Sequence, residues 1–226
     1  MFRECPRADG DDKLRAAARR FGGENDNPSR NLSRYVAGLA APELAVRQIW
    51  RTDRMGRGGD HIPFLDAGIP AIRFSVGVEN YDHQHQDLRT ETGKVYGDTI
   101  EFMDFPYLAK VTRLNVAALA RIAEAPVPPK VMVDGAVSVS TKLSWTSVNG
   151  ALSYKVYSRR TDERDWTLVN NVTAAPSPPG GGSITSTELP GVRADDWLFG
   201  VSSVSPSGRE SPVSSAVPGG QFAPLK

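Results

Sequence analysis

The chain contains three histidines, His61, His83 and His85, and all lie in GRGGDHIPFLDAGIPAIRFSVGVENYDHQHQD, the stretch from Gly56 to Asp87. Imidazole titrates near neutral pH and is the commonest nitrogen ligand for zinc, so a cluster of this kind raises metal binding first. His83-Gln84-His85 would send two imidazoles to one side of an extended segment, because side chains alternate along a strand. His85-Gln86-Asp87 has the His-x-Asp spacing of oxygen/nitrogen zinc sites. Asp60 and His61 follow Gly58-Gly59, where a backbone without Cβ atoms lets another group approach closely. The same residues would serve equally as ordinary surface or half-buried side chains, and both readings are carried forward.

Positioning such residues requires a scaffold, and the sequence divides into two textures. As far as Ala125 the pattern alternates helical and strand-like pieces. Leu32, Tyr35, Val36 and Leu39 fall on one helical face, with Asn27 as N-cap and Pro28 at the first helical position. VRQIWR, from Val46, predicts a short strand, DHIPFLDAG a short helix ended by Gly68, and IPAIRFSV a buried strand with Pro70 near its start. Pro106 opens a long helix whose predicted apolar stripe is Leu108, Val111, Ala118 and Ile122. Helices alternating with strands predict an α/β domain over residues 1–125.

The Pro-rich APVPPK segment then predicts a stiff linker at 126–130. Beyond it the pattern is all β. VSVSTKLSWTSV alternates with Leu143 and Trp145 on one face, and ALSYKVYSRR alternates through Tyr154 and Val156. WTLV, SITSTEL and WLFGVSSVS supply further strands. Turn signals recur at Asn149-Gly150, at the PSPPGGG loop from Pro176 and at Pro206-Ser207-Gly208. About seven short strands over roughly 90 residues predict an all-β sandwich at 131–217, followed by a loose tail at 218–226. Trp145, Tyr154, Leu189 before Pro190-Gly191, and WLFGVSSVSPSGRESP make this half similar to a fibronectin type III domain. Trp197 stands where that family usually carries its corner tyrosine, and an indole N–H donates but cannot accept a hydrogen bond.

Composition narrows the function classes. Hydrophobic residues at 39% and charged residues at 23% are ordinary for a globular protein, and the net charge of +1 comes from scattered basic residues. A nucleic-acid surface is therefore not expected. The single Cys5 excludes an intrachain disulfide and a cysteine-based zinc knuckle. No apolar run approaches the roughly 20 residues of a membrane span. The polar MFRECPRADGDDKLRAAARRF lacks the apolar core of a signal peptide, which leaves open whether Met1 is the true start. Asn171-Val172-Thr173 matches a glycosylation acceptor.

GGENDNPSR, then GRGGDHIPFLDAGIPAIRF, then NYDHQHQD, together resemble the C-terminal part of the zinc-dependent aminopeptidases and carboxypeptidases of metallopeptidase family 28, whose fold glutaminyl cyclases share. The resemblance runs from about Arg20 to Ala125. It implies a partial three-layer α/β/α peptidase domain. It also implies that the histidine opening His83 through Asp87 is the last of five protein ligands to a two-zinc centre, with His85 as the alternative ligand. Asp60 and His61 would order the loop and pocket beside the metals, and Asp87 would orient the loop around His83.

The same resemblance exposes what this chain does not supply. A cocatalytic zinc site needs a water held by the metals and a carboxylate to take its proton. The family provides these through an upstream His-x-Asp and a Glu-Glu pair. Here no Glu-Glu occurs, and the one His-x-Asp lies downstream of Asp60-His61. The expectation is a portion of a longer zinc exopeptidase, binding at most one zinc and inactive alone. The full-length family implies a peptide substrate and a secreted or periplasmic location. The competing expectation is a non-catalytic binding module built on the β-sandwich. In either case a truncated parallel sheet is expected to expose an apolar edge through which the chain associates.

Overall fold

The computed structural model describes residues 27–50, 58–135, 137–175 and 182–218. The GGEND segment, Cys5 and the start at Met1, the Pro176 loop and the tail beyond Pro218 lie outside the described residues.

Helix α1 (Pro28–Ala37) begins where its cap predicts, with the Asn27 side chain accepting from the Arg30 N–H at 2.8 Å. Such a cap satisfies one of the orphan N–H groups of the first turn. Helix α2 (His61–Asp66) is a short turn of helix, closed by Gly68 at φ +76. Strands β1 (Arg89–Glu91) and β2 (Lys94–Tyr96) form an antiparallel hairpin. Helix α3 (Phe105–Glu124) is capped by the Asp104 carboxylate, which accepts from the Tyr107 N–H at 2.9 Å. Val36 on α1 packs against Leu114 and Ala118 on α3, flanked by Leu32, Tyr35, Leu39 and Ile72.

Two expectations are corrected here. The apolar stripe of α3 centres on Leu114 and Ala118, while Leu108 and Ile122 at its ends are 44% and 36% exposed. Among the described residues it is covered by α1 together with Leu44 and Ile72, and its buried stripe is narrower than the periodicity suggests. The strands predicted from Val46 and within IPAIRFSV do not form among the described residues. Ile49 and Val76 are 71% and 47% exposed, and neither segment pairs with a described strand. A buried strand exists only as a member of a ladder, and without neighbours an apolar run has nothing to pair with. The helices of the predicted α/β half are thus present, and its parallel sheet is not found among the described residues.

From Val131 onward two sheets face each other. One has the order β10 (Val217–Pro218), β3 (Val131–Asp134), β4 (Thr141–Thr146), β7 (Ile184–Leu189). The other runs β6 (Thr167–Thr173), β5 (Ser153–Arg160), β8 (Trp197–Val204), β9 (Ser214–Ser215). Pairing is antiparallel except between β10 and β3. Alternation sends Leu143, Trp145, Tyr154, Val156, Phe199 and Val201 inward, as the period-2 pattern predicts. Trp145 meets Tyr154 edge-on at 5.2 Å, and the Tyr154 hydroxyl accepts from the Val148 N–H at 2.7 Å. An aromatic pair of this geometry adds about 0.5–1.5 kcal/mol to the area it buries. Trp197 begins β8 with the Arg160 guanidinium over its ring at 5.2 Å.

The Pro-rich connection is packed down. Pro129 is fully buried, and the Val127 carbonyl accepts from the Ser203 hydroxyl at 2.9 Å. Helix α1 lies against the sandwich through Asn31, which is 2% exposed. Its side chain donates to Ser215 Oγ at 2.8 Å and accepts from the Trp166 indole at 3.0 Å. Tyr35 donates to the Glu210 carbonyl at 3.0 Å, and Arg209 pairs with Glu124. No described helix is long and apolar enough to cross a membrane.

Candidate functional site

The predicted site residues occupy two separate places. The first is the α2 turn. Gly59, at φ +155, passes so close to His61 that a Cβ there would meet Nδ1 at 2.8 Å and Arg73 Nη1 at 3.1 Å. Glycine is what admits both side chains to this corner, as its placement before Asp60-His61 suggested. Arg73 completes the corner by donating to the Gly58 carbonyl at 2.8 Å. Asp60 is exposed and precedes the helix without capping it through its side chain.

His61 faces a cavity of ≈ 240 Å³ enclosed by α1, α2, the first half of α3 and residues 44–50 and 71–75. Its charged lining among the described residues is Arg30, Arg47 and Arg73. Arg30 and Arg34 both approach the Trp50 ring, at 5.4 and 5.2 Å from its centroid, and Arg30 is itself buried. The rest of the wall is largely aliphatic, so the cavity combines an apolar body with a cationic rim.

The second place is the loop before the hairpin. His83 closes a turn in which its N–H donates to the Asn80 carbonyl at 3.2 Å. Its ring stacks face to face on Phe102, with centroids 3.5 Å apart and planes 9° from parallel. Asp82 fastens this turn to β2, with Lys94 Nζ 2.7 Å from its carboxylate and the Gly97 N–H 2.9 Å from its carbonyl. His85 sits in left-handed backbone at φ 54 and is exposed. The expectation that His83 and His85 point to one side of an extended segment is therefore corrected. The chain turns here, and alternation applies only where the backbone is extended. Asp87 is exposed, and its carbonyl accepts from Arg89 Nη1 at 3.3 Å.

A zinc ion needs about four donors converging within roughly 2.3 Å. Among the described residues no group of three His, Cys, Asp or Glu side chains comes together that could hold a metal ion. His61 lines the cavity, whereas His83 and His85 do not, and the three do not form a metal-holding group. With His83 stacked on Phe102, the described residues do not by themselves fit a zinc ion, and no chemical step follows from them alone.

The sequence reading overlooked a third arrangement, on the sandwich. The Glu210 carboxylate accepts from Lys155 Nζ at 2.6 Å, the Tyr157 hydroxyl at 2.5 Å and the Ser202 hydroxyl at 2.6 Å. Burial alone would push Glu210 up, but the hydrogen bonds from Lys155, Ser202 and Tyr157 outweigh it and hold its pKa below the ordinary value. Burial, followed by the bond to Glu210, pushes the Tyr157 hydroxyl well above the usual tyrosine range. The sequence signal was present but weak, since Lys155, Tyr157 and Ser202 alternate with inward-facing core residues.

Comparison with known proteins bears on the whole chain. A protein of Leptosphaeria maculans named "Probable zinc metalloprotease" is 45% identical over 212 residues, covering 90% of this chain and 47% of its own length. One of Pyrenophora tritici-repentis with the same name is 39% identical over 222 residues, covering 95% of this chain and 44% of its own. One of Pyricularia oryzae, again so named, is 40% identical over 223 residues, covering 93% of this chain and 42% of its own. The chain thus spans less than half the length of these curated relatives. No family model matches it. Among solved structures, an Fn3-like protein from Clostridium thermocellum aligns over 42% of this chain and 90% of its own, with a TM-score of 0.31 and 22% identity.

Proposed function

We propose that this chain forms one part of a zinc-dependent exopeptidase of metallopeptidase family 28, an aminopeptidase or carboxypeptidase acting on peptide ends, and that alone it is inactive. The observation that carries this reading is 45% identity across 90% of the chain to a protein named as a probable zinc metalloprotease. Such extended similarity reaches from the helical half into the sandwich, so it is not the similarity of a shared binding module.

In this reading His83, with His85 as the alternative, contributes one zinc ligand. Moving His83 off Phe102 is then part of completing the site. Asp60 and His61 shape the pocket beside it, and Asp87 orients the loop. Zinc supplies a polarised water when the full ligand set is present. The general base belongs to the portion of the relatives that this chain does not span, which is why the isolated chain does not turn over substrate. The sandwich is a fibronectin type III-like module that docks on the helical half. The complete protein is exported.

The test is zinc per chain by elemental analysis, beside hydrolysis of an aminoacyl anilide, for the wild type and His83→Ala. The expected result is at most one zinc, lost in the variant, and no hydrolysis by either. Hydrolysis by the wild type that His83→Ala abolishes would overturn the inactivity.

A second reading, a non-catalytic binding module, is favoured by one observation. The sandwich has the larger buried core, from Val131 to Val201, while no metal-holding group is found among the described residues. Absence of zinc from both proteins would turn the assignment to that reading.

A further inference from the structure

Three asparagines, Asn27, Asn31 and Asn171, stand two positions before a serine or threonine. That spacing is the acceptor pattern for N-linked sugar unless proline intervenes. Pro28 removes the first, whose side chain in any case caps α1. Asn31 is 2% exposed and held between Ser215 and the Trp166 indole, so the folded chain has no room for an oligosaccharide there. Asn171 is placed differently. It lies in β6, the outer strand of its sheet, and both Asn171 and Thr173 are exposed while Val172 between them packs on the core. Alternation thus presents the carboxamide and the hydroxyl together on the outward face.

The strand that carries this acceptor is one that gains from cover. Natural edge strands are blunted by bulges or by bulk that hinders pairing with another chain. In β6 the register against β5 shifts between Val156 and Tyr157, which places a bulge in its first half, around Leu168 to Asn170. From Asn170 to Thr173 the pairing is regular, and this is the half that holds Asn171.

We propose that Asn171 is an N-glycosylation site and that its oligosaccharide shields the regular half of this outer strand. The donor class is an oligosaccharide joined through pyrophosphate to a lipid. The Asn171 side-chain nitrogen bonds to C1 of the first sugar as the bond from C1 to the pyrophosphate oxygen breaks. The amide gives up one proton and the lipid pyrophosphate leaves with the bonding electron pair, so nothing is oxidised or reduced. A sugar on the outward face is bulky and solubilising, and it leaves the packing of Val172 untouched. The inference rests on the proposed export only for bringing the chain to the transferase that uses this donor.

The experiment expresses the full chain behind a cleavable secretory leader in a eukaryotic host. The secreted protein is mapped by peptide mass spectrometry before and after enzymatic removal of N-linked sugar. One glycan is expected, on the peptide that holds Asn171. Asn171→Gln and Thr173→Ala should each abolish it, whereas Thr173→Ser keeps the hydroxyl and should retain it. Unchanged circular dichroism of the variants separates loss of the acceptor from loss of the fold. Removing the sugar should raise self-association at least about threefold, read by light scattering. Because the leader supplies delivery, a secreted chain without sugar overturns the site and leaves the export reading standing. A glycan that survives Asn171→Gln, or one found on Asn31, would equally overturn it. Self-association unchanged by removal of the sugar would overturn the shielding.

Discussion

Glu210 illustrates how a side chain without any motif around it becomes a junction. Its carboxylate gathers Lys155, Tyr157 and Ser202, while its main-chain carbonyl accepts from Tyr35 on α1. Because its folded pKa lies below the ordinary 4.5, Glu210 contributes stability that is complete above that value. That contribution is lost as the pH falls through the lowered folded value. The urea midpoint of the wild type should therefore drop more steeply between about pH 5 and pH 3 than that of Glu210→Gln. Parallel slopes would show that the network is not worth more to the ionised form. His83 marks the opposite case, a residue singled out by its motif. Spacing singles it out, but Phe102, the ring it stacks on, belongs to a separate segment and has no place in the motif. Asn31 escaped notice because a polar residue on an amphipathic helix reads as solvent-facing, and only the sandwich packed over it makes it buried.

Among the elements, those whose signals are local were legible and those that depend on partners were not. Helix α1 was readable from its cap and its Leu32, Tyr35, Val36, Leu39 stripe, all of which pack as the period predicts. Asn27→Ala should accordingly cost about 1 kcal/mol, read from chemical denaturation of the helical signal. The sandwich strands were readable from alternation, because each finds its neighbours within the same 90 or so residues typical of such folds. Leu143 is 0% exposed at the centre of that core, and Leu143→Ala should destabilise it by about 2–5 kcal/mol. A loss well below that range would mean that β4 does not carry the core. The predicted strands from Val46 and within IPAIRFSV failed for the reason the others succeeded. Their composition is right, but a ladder is a property of at least two strands, and no described strand pairs with either.

At the scale of the molecule, the two halves are unequal. Among the described residues the helical half buries three apolar side chains, Val36, Leu114 and Ala118, whereas the sandwich buries a cluster of eight, among them Trp145, Tyr154 and Phe199. The described part of the helical half leans on the sandwich. Its footing is polar and specific: Asn31 between Ser215 and Trp166, Tyr35 on Glu210, Arg209 on Glu124, and the buried Pro129 between the halves. Asn31→Ala removes the buried partner of the Trp166 indole at 3.0 Å and should cost about 1–3 kcal/mol. The loss should appear on one side of the contact. Amide exchange in α1 and α3 should quicken while β4, β5 and β8 keep the protection of the wild type. Equal loss in both halves would mean that they unfold as one cooperative unit and that the sandwich depends on the helices as much as they depend on it. Protection unchanged in both would mean that the helical half stands on its own core after all.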